Sequence, residues 1–383
     1  MKIALVHKRL DLKGGTERDL FKTAEGLRDL GHEIHLFCGE FGVEPPAGVK
    51  AHRVPVLPLG RTARLWSFAW AALRKMESAG CDVVVSFGRL PRQDCLRSGG
   101  GTHRGFLERL GQEGGLWRRL WQSLSVYHQS LLHIERRQFE ANGCAKIIAV
   151  SEAVKRDIIE HYGVAAEKIT VLYNGVDARR FNPARRAAAR TALRQEWKIP
   201  AAAPVVLFVG SGFRRKGLDR LLSLWRSPRV SEVFLLVVGG DARLPRYRAR
   251  ADRVAPGRII FTGHRDDVEN YYAAADVVAL PSLQEAFGNA VLEALASGLP
   301  VLVSREVGAA EIIQGPLAQG IVEQPDDLGE WETKLLGLLA LARDPSSIVA
   351  AREIGEKHSW ENHFKRFEAV VLETGRVAGH VAA

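Results

Sequence analysis

Four cysteines in 383 residues, Cys38, Cys81, Cys95 and Cys144, lie far apart, and no two have Cys-x-x-Cys spacing. That counts against zinc and dithiol redox motifs, and reduced, partly buried thiols are expected. Long apolar runs are equally scarce. The longest notable uncharged run, Leu65–Leu73, is closed by Arg64 and Arg74, well short of the roughly 20 apolar residues a membrane span needs. Lys8 and Arg9 arrive before any long apolar region could form, so no signal peptide is expected and the chain reads as cytosolic. The Gly-x-Gly-x-x-Gly spacing of dinucleotide loops is also missing, which counts against an NAD enzyme. No nucleic-acid-binding motif is recognisable, and the basic residues are dispersed rather than gathered in a tail.

What is present is positive charge: 54 Lys and Arg against 44 Asp and Glu, a formal net of +10. Such a balance attracts polyanions, whether nucleic acid, acidic membrane surfaces or phosphorylated substrates, and does not choose among them. With 46% hydrophobic and 26% charged residues the chain is globular. It is too long for one ordinary core, and two domains are expected.

Short apolar runs alternate with helical stretches. Lys2–His7, Glu33–Phe37, Cys81–Ser86, Lys146–Val150 and Ile169–Leu172 read as buried strands, and a helix starts at Thr16 and stops at Gly31. The pattern restarts after the Ala-, Arg- and Pro-rich stretch 185–204, with strands at Val205–Gly210, Val233–Gly239, Ile259–Thr262, Val277–Leu280, Val301–Ser304 and Gly320–Glu323. The alternation predicts an α/β protein of two doubly wound, Rossmann-like parallel sheets: residues 1–182 and 183–360, with a last helix in 361–383 returning to the first domain. Ligands of such sheets bind beyond the carboxyl ends of the strands, so the chemistry is expected on loops facing a cleft between the domains.

Three loops carry candidate residues. The stretch from Pro281 to Pro300 follows a strand, and a helix is predicted to begin near Asn289 and end at Gly298. Gly288 permits close backbone approach, and the helix start is a seat for a diphosphate. Glu285 precedes the helix and Glu293 lies roughly 6 Å along its axis, so one carboxylate can reach a sugar while the other accepts ribose hydroxyls. Arg215 and Lys216, in the turn 210–218 after another strand, suit two phosphates and can neutralise a leaving group; a solvated basic turn is the alternative. Gly14-Gly15 opens the first helix and by itself says little. Asp19, near that helix start, either faces an acceptor or is an ordinary first-turn acid. His103 sits in the Gly-rich loop 98–105, expected to be flexible and to follow the strand Cys81–Ser86.

Two glutamates seven residues apart in this setting resemble the E-x7-E motif of retaining, GT-B glycosyltransferases of family 4. Asn174-Gly175-Val176-Asp177 with Phe181, and Val150-Ser151-Glu152, look like that family's other segments, and the resemblance spans nearly the whole chain. It implies that Glu285 contacts the donor hexose, Glu293 the ribose, and the Phe287–Asn289 backbone the sugar and phosphate. Arg215 and Lys216 would meet the diphosphate, with Gly14, Gly15 and Arg180 also against the donor, and His103 near the transferred sugar. No metal or other cofactor is implied. The acceptor hydroxyl would attack from the leaving group's own face, with Glu285 positioning the sugar rather than bonding to it, and the domains would close over the donor.

One subgroup of the family, the lipopolysaccharide-core heptose glucosyltransferases, looks especially similar through Gly14-Gly15 with Arg18-Asp19, Gly105-Phe106-Leu107 with Arg109-Leu110, Arg214–Arg220 and Gln284-Glu285-Ala286. It implies UDP-glucose and a phosphorylated, lipid-anchored acceptor. Phe287, Asn289, Asn174 and Asp177 instead look like the wider family, which leaves donor sugar and acceptor open. The segment Gly115–Leu124, followed by Arg136 and Arg137, mixes aromatic and basic residues as a helix lying on the anionic inner face of the plasma membrane would; packing in a core is the alternative. Rival readings are a nucleotide-sugar epimerase, a basic nucleic-acid-binding protein and a scaffold without catalysis.

Overall fold

Strand β1 (Lys2–Leu10) is buried on both faces: Ile3 and Leu5 enter one apolar cluster, Ala4 and Val6 another. A strand of that kind belongs inside a parallel sheet covered by helices on both sides. The structure, a computed structural model, describes residues 1–12, 14–110, 124–140 and 143–381, and in it β1 pairs in parallel with β2 (Glu33–Phe41) and β4 (Val83–Ser86). With β3 (Lys50–Arg53), β5 (Cys95–Ser98), β6 (Lys146–Ala149) and β7 (Ile169–Val171) they form a seven-stranded sheet in the order β3-β2-β1-β4-β5-β6-β7. Leu20, Ala24 and Leu27 of helix Gly15–Asp29 pack on one face together with Phe367, Val370 and Val371 of helix Trp360–Val381. Phe68, Ala69, Ala72 and Met76 of helix Gly60–Ala79 cover the other.

The second sheet has β8 (Val205–Val209), β9 (Phe234–Val238), β10 (Ile259–Gly263), β11 (Val277–Leu280), β12 (Val301–Ser304) and β13 (Ile321–Val322), in the order β10-β9-β8-β11-β12-β13 with parallel pairing. One core joins Phe208, Leu235 and Val237 to Leu221, Leu222 and Trp225 of the segment after β8 and to Trp331 and Leu335 of helix Leu328–Leu341.

The chain divides into two units, Met1–Asn174 with Glu361–Ala383, and Gly175–Trp360. The crossing therefore falls ahead of the boundary expected near residue 182. The last segment groups with unit 1, where Phe364 covers Gly26: a Cβ on Gly26 would lie 2.2 Å from its ring.

Strands β3 and β5 were not expected, and the reasons are physical. Lys50-Ala51-His52-Arg53 is a polar edge strand with no apolar run. Cys95-Leu96-Arg97-Ser98 contains a charge, tolerated because Arg97, with a fully buried side chain, donates from Nε to Asp19 Oδ2 at 2.9 Å, from Nη1 to the Leu172 carbonyl at 2.7 Å and from Nη2 to Asn174 Oδ1 at 2.6 Å. Among the described residues no helix is long and apolar enough to cross a membrane. The aromatic and basic segment Gly115–Leu124 lies, all but its last residue, outside the described residues.

Candidate functional site

In unit 2 the strand sequence reverses between β8 and β11, the point where open sheets of this kind bind ligands at the carboxyl edge. The loops leaving these two strands pack backbone against backbone. Gly217 has φ 78°, and a Cβ there would lie 1.8 Å from the Pro281 carbonyl oxygen. Leu283 N donates to the Arg215 carbonyl at 3.4 Å. This approach brings Arg215, Lys216 and Glu285 together: Arg215 Nη1 is 2.6 Å and Lys216 Nζ 3.3 Å from the same Glu285 Oε2.

The backbone around Glu285 is fixed from a third loop. Its N–H donates to the Glu306 carbonyl, its carbonyl accepts from Gly308 N, and the buried Phe287 accepts from Ala309 N at 2.7 Å. Gly288 caps helix Asn289–Ala296 with φ 97°, where a Cβ would meet Val307 Cγ1 at 2.8 Å. Gly288 has no side chain with which to cap this helix, and a helix start of this kind favours an anion through its first-turn N–H groups and dipole. Farther along it, Glu293 Oε2 accepts from the Tyr272 hydroxyl at 2.7 Å. Burial first, then the carboxylate, raises the Tyr272 phenol well above its ordinary pKa, so it stays a donor. Two cations sharing one carboxylate beside a helix start can exchange that carboxylate for diphosphate oxygens, and two carboxylates on one loop and helix can accept sugar hydroxyls.

Arg180 is not part of this cluster. Its Nε is 2.9 Å from Glu269 Oε2, its Nη2 donates to the Asp266 carbonyl at 2.7 Å, and its guanidinium lies over the Phe181 ring.

Unit 1 has its own reversal, between β1 and β4, and a cavity of about 400 Å³ opens there. His103 lines it, but not from a flexible loop after β4. It begins the helical residues 103–110 directly beyond β5, and Glu135, 2% exposed, pins that start by accepting from His103 N at 2.6 Å and Arg104 N at 3.2 Å. The His103 ring is buried and its Nε2 is 3.0 Å from His128 Nδ1. Burial, then the charges of Arg89 and His128, push its pKa down to about 4. Gly14 is the N-cap of helix Gly15–Asp29, and the next residues, Thr16 and Glu17, line the same cavity.

Asp19 does not face that cavity. It is buried under Arg97 and accepts from Thr23 Oγ1 at 3.3 Å, so its carboxylate is a structural counter-ion rather than an acceptor contact. The sequence reading missed His7, Glu17 and Glu135 in unit 1 and Tyr272 in unit 2. His7 ends an apolar run, but Glu17 and Glu135 stand next to other charged residues, and nothing in their sequence surroundings sets them apart. Among the described residues no group of three or more His, Cys, Asp or Glu could hold a metal ion.

Comparison with known proteins covers both units. A family model described as "Glycosyltransferase Family 4" matches residues 13–180, and one described as "Glycosyl transferases group 1" matches residues 203–340. The chain is 29% identical to "Lipopolysaccharide glucosyltransferase WaaG" of Escherichia coli over 82% of each chain. It is 30% identical to "Probable transglycosylase BTH_I0986" of Burkholderia thailandensis over 86% of this chain and 84% of that protein. Among solved structures, a WaaG involved in lipopolysaccharide biosynthesis superposes with a TM-score of 0.80 at 23% identity, covering 96% of this chain and 99% of that one. Anabaena Alr3699/HepE in complex with UDP and glucose gives 0.69 at 19% identity, covering 97% and 100%. At these identities the two structures speak for the fold, a GT-B arrangement of two parallel-sheet units.

Proposed function

The chain belongs to the family 4, group 1 glycosyltransferases, and on that premise we propose that it moves glucose from UDP-glucose to a heptose hydroxyl of a lipopolysaccharide core, with retention and without a metal ion. The observation that carries this is the convergence of Arg215 and Lys216 on Glu285 Oε2 beside the helix start at Gly288. The similarity to a lipopolysaccharide glucosyltransferase supports the choice of sugar and acceptor.

In this reading the diphosphate takes Arg215 and Lys216 from Glu285, and the released carboxylate accepts hydroxyls of the hexose. Glu293, oriented by Tyr272, accepts from the ribose. The two cations and the helix start stabilise the charge that grows on the leaving diphosphate, which is where electrostatic preorganisation acts. The acceptor oxygen attacks from the leaving group's face and passes its proton to a diphosphate oxygen. The net charge of +10 suits a peripheral seat on an anionic membrane surface at the cytoplasmic face.

Calorimetry across a panel of nucleotide sugars with EDTA present tests the reading. Binding of one UDP-sugar, lost in Lys216→Ala and Glu293→Ala, is the expected result, with the product anomer read by NMR. No binding to any nucleotide sugar refutes it.

A further inference from the structure

We propose that the unit 1 cavity reads hydroxyls: His7 and Glu17 together hold adjacent hydroxyls of a neutral pyranose, and the cavity does not select for phosphate. This rests on unit 1 being the acceptor-binding half of the enzyme and specifies what that half recognises.

His7 is 6% exposed and lines the cavity, yet neither ring nitrogen has a hydrogen-bond partner among the described residues. Native structures seldom leave a buried imidazole so unmatched. Its Nε2 is 3.6 Å from Glu17 Oε1, beyond hydrogen-bond length, so each group keeps capacity for a hydroxyl of its own. A neutral imidazole offers one donor and one lone pair and a carboxylate offers only lone pairs, which together match neighbouring hydroxyls. Glycines keep this corner open. A Cβ on Gly88 would come 3.2 Å from His7 Nδ1, and a Cβ on Gly14 would lie 2.0 Å from Glu17 Oε2. Phe68, Phe106 and Tyr127 supply the apolar wall against which a sugar ring packs, and the cavity's size, about 400 Å³, is within the range of small-molecule sites.

Charge decides between a neutral sugar and a phosphate. Of the cations lining the cavity, Arg97 is bound to Asp19 at 2.9 Å and Arg89 to Glu135 at 3.4 Å. Among the described residues that leaves the exposed Lys8, with Glu17 beside it, and one Arg89 nitrogen, Nε, without a hydrogen-bond partner. A phosphate needs uncommitted donors of positive charge, whereas this cavity sets the carboxylates of Glu17 and Glu135 beside its cations, which disfavours a second anion.

The test is saturation-transfer NMR on the full chain, with UDP saturating the unit 2 site. The probes are the methyl α-glycosides of glucose, mannose and galactose, and the 6-phosphates of the same sugars. At least one neutral glycoside gives transfer in the wild type; His7→Phe weakens it about tenfold or more, and His7→Gln, which restores a donor and an acceptor, recovers most of it. The 6-phosphate binds no more tightly than the neutral ring. Three results overturn the proposal: no transfer to any neutral glycoside, undiminished transfer in His7→Phe, or clear preference for the phosphate. Calorimetry of UDP in both variants shows that the fold and the unit 2 site are intact. Loss of UDP-sugar turnover with glycoside binding retained would instead strike the proposed function.

Discussion

Replacing Tyr272 by Phe removes one oxygen from a fully buried ring and leaves its edge-on contact with Phe181 (5.4 Å between centroids, 88° between planes) in place. What is lost is the 2.7 Å hydrogen bond to Glu293, with a longer 3.4 Å contact to the Ala290 carbonyl. A hydrogen bond to a charged group is worth about 1.5–3 kcal/mol. Part of that is lost from stability. The part that orients Glu293 is lost from donor binding, and if it is about half, UDP affinity falls roughly threefold to twelvefold, since about 1.4 kcal/mol is tenfold. Glu293 is assigned to the ribose and not to the phosphates, so inorganic pyrophosphate provides the control. Calorimetry of Tyr272→Phe is expected to show weakened UDP binding and unchanged pyrophosphate binding, with the protein still folding cooperatively. Equal weakening of both ligands, or UDP affinity equal to wild type, would refute the reasoning that Tyr272 acts through Glu293.

Three further outcomes are expected. Gly217→Ala puts a Cβ 1.8 Å from a backbone carbonyl at φ 78°, so the two loops must separate; thermal unfolding falls by several degrees, roughly 2 kcal/mol or more, and UDP binding weakens with it. Asp19→Asn leaves the buried Arg97 guanidinium without its counter-ion, at a cost of about 3–5 kcal/mol; urea unfolding measures it, and a wild-type midpoint would show that Asp19 is not the counter-ion described. His103 is held near pKa 4 in the folded chain, below the ordinary value of about 6.5. Its neutral form is therefore favoured by folding, with that contribution full above pH 6.5 and lost as pH falls toward 4. Wild type should lose more thermal stability between pH 7 and pH 5 than His103→Gln; parallel curves would contradict the depressed value.

The sheets were legible because buried parallel strands are short apolar runs, and Val277–Leu280 and Val301–Ser304 stand where the sequence placed them. Arg97 hid β5, because a charge inside a strand reads as exposed until its counter-ion, far off in sequence, is seen. The crossing between units was placed late for a related reason. The compositional shift lies at 185–204, whereas the chain changes unit at Asn174, where Asn174 Oδ1 is held by Arg97. Arg215, Lys216 and Glu285 could be grouped beforehand because each follows a strand next to the reversal. Arg180 and Asp19 could not, because a nearby carboxylate or guanidinium takes them up, and only three-dimensional pairing shows which.

Unit 2 begins and ends within hydrogen-bonding reach of itself: Val176 N donates to the His358 carbonyl at 3.0 Å and Trp360 N to the Val176 carbonyl at 3.1 Å. Unit 1 resumes at Glu361 after that closed excursion. In topological terms one sheet domain is an insert in another, spliced in between Asn174 and Glu361. A graft of a related donor-binding unit should therefore replace 175–360 as one block with a single pair of junctions. Truncation at residue 182, by contrast, would strip unit 1 of the helix that supplies Phe364, Phe367 and Val371 to its core.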